Sequence, residues 1–186
     1  MIIGIDEVGR GCWAGPVCVG AVALDDTSPI AGLADSKKLS AKKRAQLTPL
    51  IKQSALYVGI GWAPVEAIDK IGINGALRLA ALDALRHLKG YSGPLEIILD
   101  GRENYIGDPR IQTLVDGDAL VPAISAASII AKVARDNYMT AMEACYPEYG
   151  FARHVGYGTA QHRTALMAYG PSRIHRMSFA PMKLIG

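Results

Sequence analysis

Three acidic residues stand where the chain leaves a β-strand, and this placement is the first chemical signal in the 186-residue sequence. Asp6 and Glu7 follow the β-branched run Ile2–Ile5, and Asp100 follows the apolar run Leu95–Leu99. Sites in α/β sheets form at strand ends, where an acid can reach solvent or a ligand. Neighbours on a strand point to opposite faces, so Asp6 and Glu7 can share a site where the pleat relaxes at the strand end. Carboxylates crowded together repel one another unless cations hold them. An all-oxygen ligand set, with no Cys or paired His, favours hard ions, Mg²⁺ or Mn²⁺. Two such ions about 4 Å apart would clamp the attacking and leaving oxygens of a phosphodiester. An acid after a strand is common, so the spacing permits a metal site without requiring one.

Other residues suit a polyanionic partner. Gly9 and Gly11 flank Arg10 and let the backbone approach a ligand closely, with N–H and C=O groups free to bond a 2′-hydroxyl; an ordinary tight turn would use the same glycines. Lys37 and Lys38 are placed for phosphate contacts, which give salt-sensitive affinity rather than sequence reading. Lys42-Lys43-Arg44 extends this basic cluster, although a solvated helix face explains it equally well. After Glu148 there is no acid, while Arg153, Arg163, Arg173, Arg176 and Lys183 follow, with His154, His162 and His175 among them. The net charge of +3 says little, but two basic segments around a more acidic middle suit nucleic acid. His154 and His162 could touch substrate, although structural histidines are commoner. Asp136, four residues after Lys132, reads as a helix-surface ion pair rather than a catalytic acid.

The elements that must position these residues follow from pattern. Val17–Leu24 is a second strand, close enough to the first to form an antiparallel pair. Ser40 caps a helix over Ala41–Lys52, and Ala55–Gly61 is a third strand. Asn74 is placed to cap a helix reaching Lys89, with Leu77, Ala80, Ala81, Leu85 and Leu88 on one face. Leu95–Leu99 is the fourth strand, and Gln112–Val115 a weak fifth. The longest helical pattern runs from Ser125 to Tyr146, where Pro147 ends it; Thr159–Ala168 is a last helix before an irregular tail. Strands first, then strands alternating with helices, imply an α/β fold with one mixed sheet. No repeat or linker divides residues 1–186, so one domain with a short basic C-terminal segment is expected. Cys12, Cys18 and Cys145 are odd in number and lack C-x-x-C spacing, which argues against zinc or a disulfide framework. All three are expected to be packing residues, and a reducing cytoplasm is the simplest setting. The N-terminus is not a signal peptide, and no apolar run reaches the roughly 18–20 residues that span a bilayer.

The string Asp6-Glu7-Val8-Gly9-Arg10-Gly11 resembles the D-E-x-G-R-G signature of ribonuclease HII. Asp35-Ser36-Lys37-Lys38-Leu39-Ser40, Leu99-Asp100-Gly101 and the run from Ser125 to Asp136 continue the resemblance in order. His154-x-Gly-Tyr157-x-Thr159-x-x-His162 and Arg176-x-Ser-Phe179 complete it over nearly the whole chain. The resemblance implies a ribonuclease H-like mixed five-stranded sheet flanked by helices. It implies four metal-site carboxylates, Asp6, Glu7, Asp100 and Asp118, holding two Mg²⁺ or Mn²⁺ ions. Asp116 competes with Asp118, because the family has a small residue and a Lys where Val115-Asp116-Gly117 stands here; the downstream Val-Pro-x-Ile-Ser-Ala-Ala-Ser run favours Asp118 and leaves Asp116 in the turn. The implied activity is an endonuclease, with no membrane partner, that cuts the RNA strand of RNA–DNA hybrids. The same resemblance implies cutting 5′ of ribonucleotides embedded in duplex DNA, as in ribonucleotide excision repair. Metal-activated water would leave 5′-phosphate and 3′-hydroxyl ends, and the enzyme would work as a monomer. Gly9, Arg10 and Gly11, with Tyr157, would recognise the RNA-to-DNA junction, the aromatic ring stacking on a sugar without a 2′-hydroxyl. Cys12-Trp13 replaces the family's Pro-Leu, Val155 a basic residue, and Gly158 a proline. The Val155 replacement weakens a phosphate contact there, and Gly158 is expected to loosen the loop carrying Tyr157. A DNA-junction nuclease of the same fold and a non-catalytic nucleic-acid binder are the alternatives.

Overall fold

The computed structural model describes residues 1–24, 30–33, 36, 38–88 and 91–183. Five strands form one sheet: β1 (Ile2–Val8), β2 (Val17–Leu24), β3 (Ala55–Ala63), β4 (Glu96–Asp100) and β5 (Gln112–Leu114). Their order is β3-β2-β1-β4-β5, with β1, β2 and β3 antiparallel in succession and β4 and β5 parallel to β1. The mixed five-stranded sheet expected from the sequence is therefore present. The helices are α1 (Ala41–Ser54), α2 (Val65–Ala84), α3 (Gly117–Leu120), α4 (Pro122–Met142), α5 (Phe151–His154), α6 (Ala160–Tyr169) and α7 (Ala180–Lys183).

Alternation along β1 decides which helix covers which face. Ile3 and Ile5 are fully buried with Leu77, Ala80 and Ala81 of α2 on one side of the sheet. On the other side, Val22 packs with Ala126, Ala127 and Ile130 of α4 and with Leu47 and Ile51 of α1. The α4 side is unusually close, because Gly20 presents no side chain: a Cβ there would stand 2.3 Å from the Ala127 carbonyl oxygen. This brings Ser128, the next residue of α4, down onto the sheet. A third cluster, including Ala14, Met139, Phe151 and Leu166, seats the C-terminal helices against α4 and the β1–β2 connection.

Several boundaries differ from the sequence reading. β1 does not end before Asp6 but runs through Asp6 and Glu7 to Val8, paired with β2 throughout. α2 joins two helical stretches across non-helical backbone at Gly72 (φ 73°, ψ 169°), so the helix expected from about Asn74 is present as its second part and a further stretch from Val65 precedes it. Only its second half carries the expected apolar face, and Asn74 is no cap: its side-chain oxygen accepts from Arg10 Nη2 at 3.1 Å. The helix stops at Ala84, a 3-10 turn covers Arg86–Leu88, and the expected end at Lys89 lies outside the described residues. α4 starts three residues earlier than Ser125, with Pro122 at its first position, where a missing N–H costs nothing, and it ends at Met142 rather than Tyr146. Ser40 and Thr159 cap α1 and α6 through their side chains, as Ser40 was expected to do. The tail is not wholly irregular, since α7 forms within it. Cys12 and Cys18 are buried packing residues, but Cys145 is exposed just past the end of α4. Among the described residues no helix is long and apolar enough to cross a membrane.

Candidate active site

Asp6 and Glu7 lie within β1 rather than past its end. Register pairing of β1 with β4 runs from Ile2 and Glu96 to Ile5 and Leu99, and β4 ends one residue later at Asp100, which sets that acid beside the Asp6-Glu7 stretch of β1. Asp6 and Glu7 keep their opposite orientations, yet both line one cleft at this end of the sheet. Asp6 is turned to the α4 side, where the Ser128 hydroxyl hydrogen-bonds its carboxyl and the Glu7 N–H donates to Oδ1 at 2.7 Å. Ser128 and Ser36 share a buried hydroxyl contact of 2.7 Å, which orients Ser128. Glu7 is turned to the other side, where the Tyr105 hydroxyl donates to Oε2 at 3.2 Å and Arg10 stands 3.7 Å from Oε1.

The electrostatics of these acids are strained. Burial pushes the Asp6 carboxyl up to about 8, against a hydrogen bond from Ser128, and Glu7 and Asp100 raise it further. Glu7 is raised by burial as well, opposed by Arg10 and the Tyr105 hydrogen bond, with Asp100 again adding repulsion. The three acids therefore lie in one another's field. Asp100, at the end of β4, has Oδ1 fixed by the Gly117 N–H at 2.8 Å, which ties the start of α3 to the strand end. Asp118 is the next residue of α3 and is buried, whereas Asp116 is exposed in the turn before it, with left-handed backbone at φ 55°. Among the described residues no three Asp, Glu, His or Cys side chains are already close enough to grip an ion. The donor chemistry nevertheless fits a hard divalent cation: all oxygen, partly buried, and carrying mutual repulsion that such an ion relieves.

A cleft of about 600 Å³ has Asp6, Glu7, Gly9, Arg10, Gly11 and Tyr157 in its walls, whereas Asp100 and Asp118 do not line it. These six residues singled out in the sequence are thus brought together. Lys38 is exposed and does not line the cleft, and Lys37 lies outside the described residues. Arg10 is committed to acids, with Nη2 donating to Glu103 at 2.7 Å. Tyr157 is 39% exposed at the cleft, and Lys132 Nζ stands 5.6 Å from its ring centroid.

Four contributors escaped the sequence reading. Ser128 could have been noticed as a hydroxyl within the apolar stripe of α4, but Tyr105 had no local signal. Arg44 was grouped with a solvated face, yet it is half-buried, lines the cleft and donates to the Ser36 and Leu39 carbonyls at 2.9 and 2.6 Å. Lys132 does pair with Asp136 as expected, at 2.9 Å, but it also lines the cleft. His154 and His162 are buried structural residues, the latter bonded to His175 at 2.9 Å.

The departures at Trp13 and Gly158 prove to be one feature. A Cβ on Gly158 would fall 2.2 Å from the Trp13 ring, so the indole fills the space a larger residue would take. Trp13 is itself packed at a tilt against His162, with ring centroids 5.4 Å apart, and the loop carrying Tyr157 is packed rather than loosened. Val155 adopts left-handed backbone at φ 45°, a strained conformation for a β-branched residue, and its side chain packs into the third core cluster rather than toward a phosphate.

A family model described as ribonuclease HII matches residues 3–182. A ribonuclease HII of Halorhodospira halophila is 48% identical over 183 residues, covering 98% of this chain and 93% of that protein. Among solved structures, the RNase HII in a PCNA complex from Archaeoglobus fulgidus superposes with a TM-score of 0.79 at 27% identity, over 95% of this chain and 92% of that one. Bst-RNase HIII in complex with Mn²⁺ shares the fold, with a TM-score of 0.72 at 23% identity, over 99% of this chain and 68% of that one.

Proposed function

The chain belongs to the ribonuclease HII family of ribonuclease H endonucleases, and from that premise we propose that it hydrolyses the RNA strand of RNA–DNA hybrids and cuts 5′ of ribonucleotides in duplex DNA. The observation that carries this reading is the buried Asp6 carboxyl, beside Glu7 and within the field of Asp100, at the head of a cleft walled by Gly9–Gly11 and Tyr157. Residues 1–186 would act as one catalytic domain, and as a monomer.

In this reading Asp6, Glu7, Asp100 and Asp118 would hold two Mg²⁺ or Mn²⁺ ions. Bound there, the ions would supply the Lewis acidity for attack of water on the phosphodiester, leaving 5′-phosphate and 3′-hydroxyl ends. The metal requirement is in keeping with the Mn²⁺ of the RNase HIII neighbour. The chain's own residues do the rest. Ser128 and the Glu7 N–H orient the Asp6 carboxylate, and Gly117 N–H orients Asp100. Tyr105 and Arg10 hold Glu7 on the opposite wall. The cleft-facing backbone of Gly9–Gly11 is offered to the ribose 2′-hydroxyl, and the Tyr157 ring to the deoxyribose that follows. Lys38 would contact backbone phosphates away from the cleft, and Lys37 is proposed as a further phosphate contact.

The test is cleavage of a labelled DNA duplex holding one ribonucleotide, beside an all-DNA duplex, with Mg²⁺, Mn²⁺ or EDTA. Metal-dependent cutting 5′ of the ribonucleotide with the control intact is expected. Cutting of both duplexes would replace this reading with a DNA-junction nuclease, and cutting of neither with a non-catalytic binder.

A further inference from the structure

Two guanidinium groups lie wholly inside the protein, Arg135 on α4 and Arg176 in the segment after α6, neither with any exposed surface. A buried cation is costly unless it is paired or fully hydrogen-bonded. Among the described residues neither arginine meets a carboxylate at ion-pair distance; their hydrogen-bond partners are backbone carbonyls. Arg176 donates from Nε and Nη2 to the Gly15 carbonyl at 3.0 and 2.9 Å, and from Nη1 to the Arg10 carbonyl at 2.9 Å. Arg135 donates to the carbonyls of Pro16 at 2.9 Å, Ala14 at 3.0 Å and Val155 at 2.8 Å. All these carbonyls belong to the two loops that carry Gly9–Gly11 and Tyr157. Gly9, with φ 89°, lies directly on Arg135, where a Cβ would stand 2.1 Å from Nε. The strained backbone of Val155 is thus held from beneath by Arg135.

The consequence lies in the peptide between Arg10 and Gly11. Among the described residues no peptide bond is cis, and in a trans unit the C=O and N–H point in opposite directions. With the Arg10 carbonyl turned inward to Arg176, the Gly11 N–H is turned away from it, on a residue that lines the cleft. Among the described residues this N–H has no acceptor. We propose that Arg176, supported by Arg135, is a positioning residue that aims the Gly11 N–H at an oxygen of the substrate strand at the ribonucleotide. The proposal rests on the reading above that Gly9–Gly11 meets that strand. Arginine is required because one planar fork reaches the carbonyls of residues 10 and 15 together, which a lysine ammonium on a flexible stem cannot do.

The experiment measures fluorescence anisotropy in Ca²⁺ with a DNA duplex holding one ribonucleotide and with the all-DNA duplex of the same sequence. Arg176→Lys keeps the charge and removes the fork. Its preference for the ribonucleotide duplex should fall about tenfold, the factor of one directed hydrogen bond, while affinity for the all-DNA duplex changes less than about twofold. A merely structural role would lower both affinities together, and that result, or an unchanged preference, overturns the proposal. Should Arg176→Lys fail to fold, the wild-type protein labelled with ¹⁵N-glycine decides: the Gly11 amide resonance should move on adding the ribonucleotide duplex and far less with the all-DNA duplex. Equal or absent movement overturns the proposal alone. A wild-type protein with no preference between the duplexes overturns the reading beneath it, and the proposal with it.

Discussion

Acid should destabilise this protein through one buried histidine pair, and the hydrogen bonds fix the sign. His162 Nδ1 meets the Tyr157 carbonyl at 2.9 Å, so that nitrogen carries the proton and Nε2 is bare. His162 Nε2 lies 2.9 Å from His175 Nε2, so His175 is the donor there, and its own Nδ1 is bare to accept the Ser172 N–H at 2.8 Å. A proton added to either ring sets N–H against N–H. Burial lowers both rings to about 4, against 6.5 for a free ring, with like-charged neighbours adding to the effect. The unfolded chain therefore binds more protons between pH 6.5 and 4. The pair's contribution is fully present above pH 6.5 and is lost as pH falls through 4. For a ring displaced this far, the loss between pH 7.5 and pH 5 is about 2 kcal/mol. With an m-value of about 2 kcal/mol/M, that is a fall of about 1 M in the urea midpoint per ring. Coupling through the shared hydrogen bond keeps the pair's total below twice the single-ring figure. The assay is urea unfolding followed by tryptophan fluorescence at pH 7.5 and 5.0, for wild type and for His162→Gln with His175→Gln. The double variant should be less stable at pH 7.5 but lose at least 1 M less on acidification. Asp6 and Glu7 titrate in both proteins, and so cancel. An equal midpoint loss in the two proteins would refute the tautomer assignment and the burial argument together.

Other perturbations test other parts. Ser128→Ala removes the hydrogen bond that favours ionised Asp6, so Mg²⁺ binding measured by calorimetry should weaken by about tenfold, as for other groups that orient a metal ligand; unchanged affinity would remove Ser128 from the site. Because the acids repel one another when no cation is bound, saturating Mn²⁺ should raise the melting temperature and EDTA should reverse the shift. A melting temperature indifferent to both would count against the carboxylate cluster. Gly158→Pro should cost about 1–3 kcal/mol of stability by driving a ring into Trp13, and Trp13→Leu should recover most of that loss in the double variant. Strict additivity in calorimetric melting would separate the two residues.

Local pattern carried much of this protein. β2 was bounded by its own composition, and Ser40 marked the start of α1 through a side-chain cap that needs nothing beyond the next turn. The acids of β1 and β4 were legible because a charge at the end of an apolar strand contributes nothing to the packing of that strand. The bend at Gly72 was not, since an interrupted helix and two helices look alike until a core decides where each face is buried. Asn74 illustrates the same limit: it has a capping residue's chemistry, but Arg10, 64 positions away, uses its oxygen instead.

What the sequence determined by itself was the type of chemistry: oxygen ligands in pairs, glycines beside an arginine, and bases around them. Tertiary structure decided how those groups meet. Parallel register set Asp100, the end of β4, next to the Asp6-Glu7 stretch of β1, and burial then raised the Asp6 and Glu7 carboxyls, effects that no spacing encodes. It also turned Arg176, grouped in the sequence with the basic C-terminal segment, and Arg135, which the sequence did not single out, into the buried anchors of the cleft loops. The physical reason is that the cost of burying a charge depends on the carbonyls that meet it, and all but that of Val155 come from residues more than 100 positions distant.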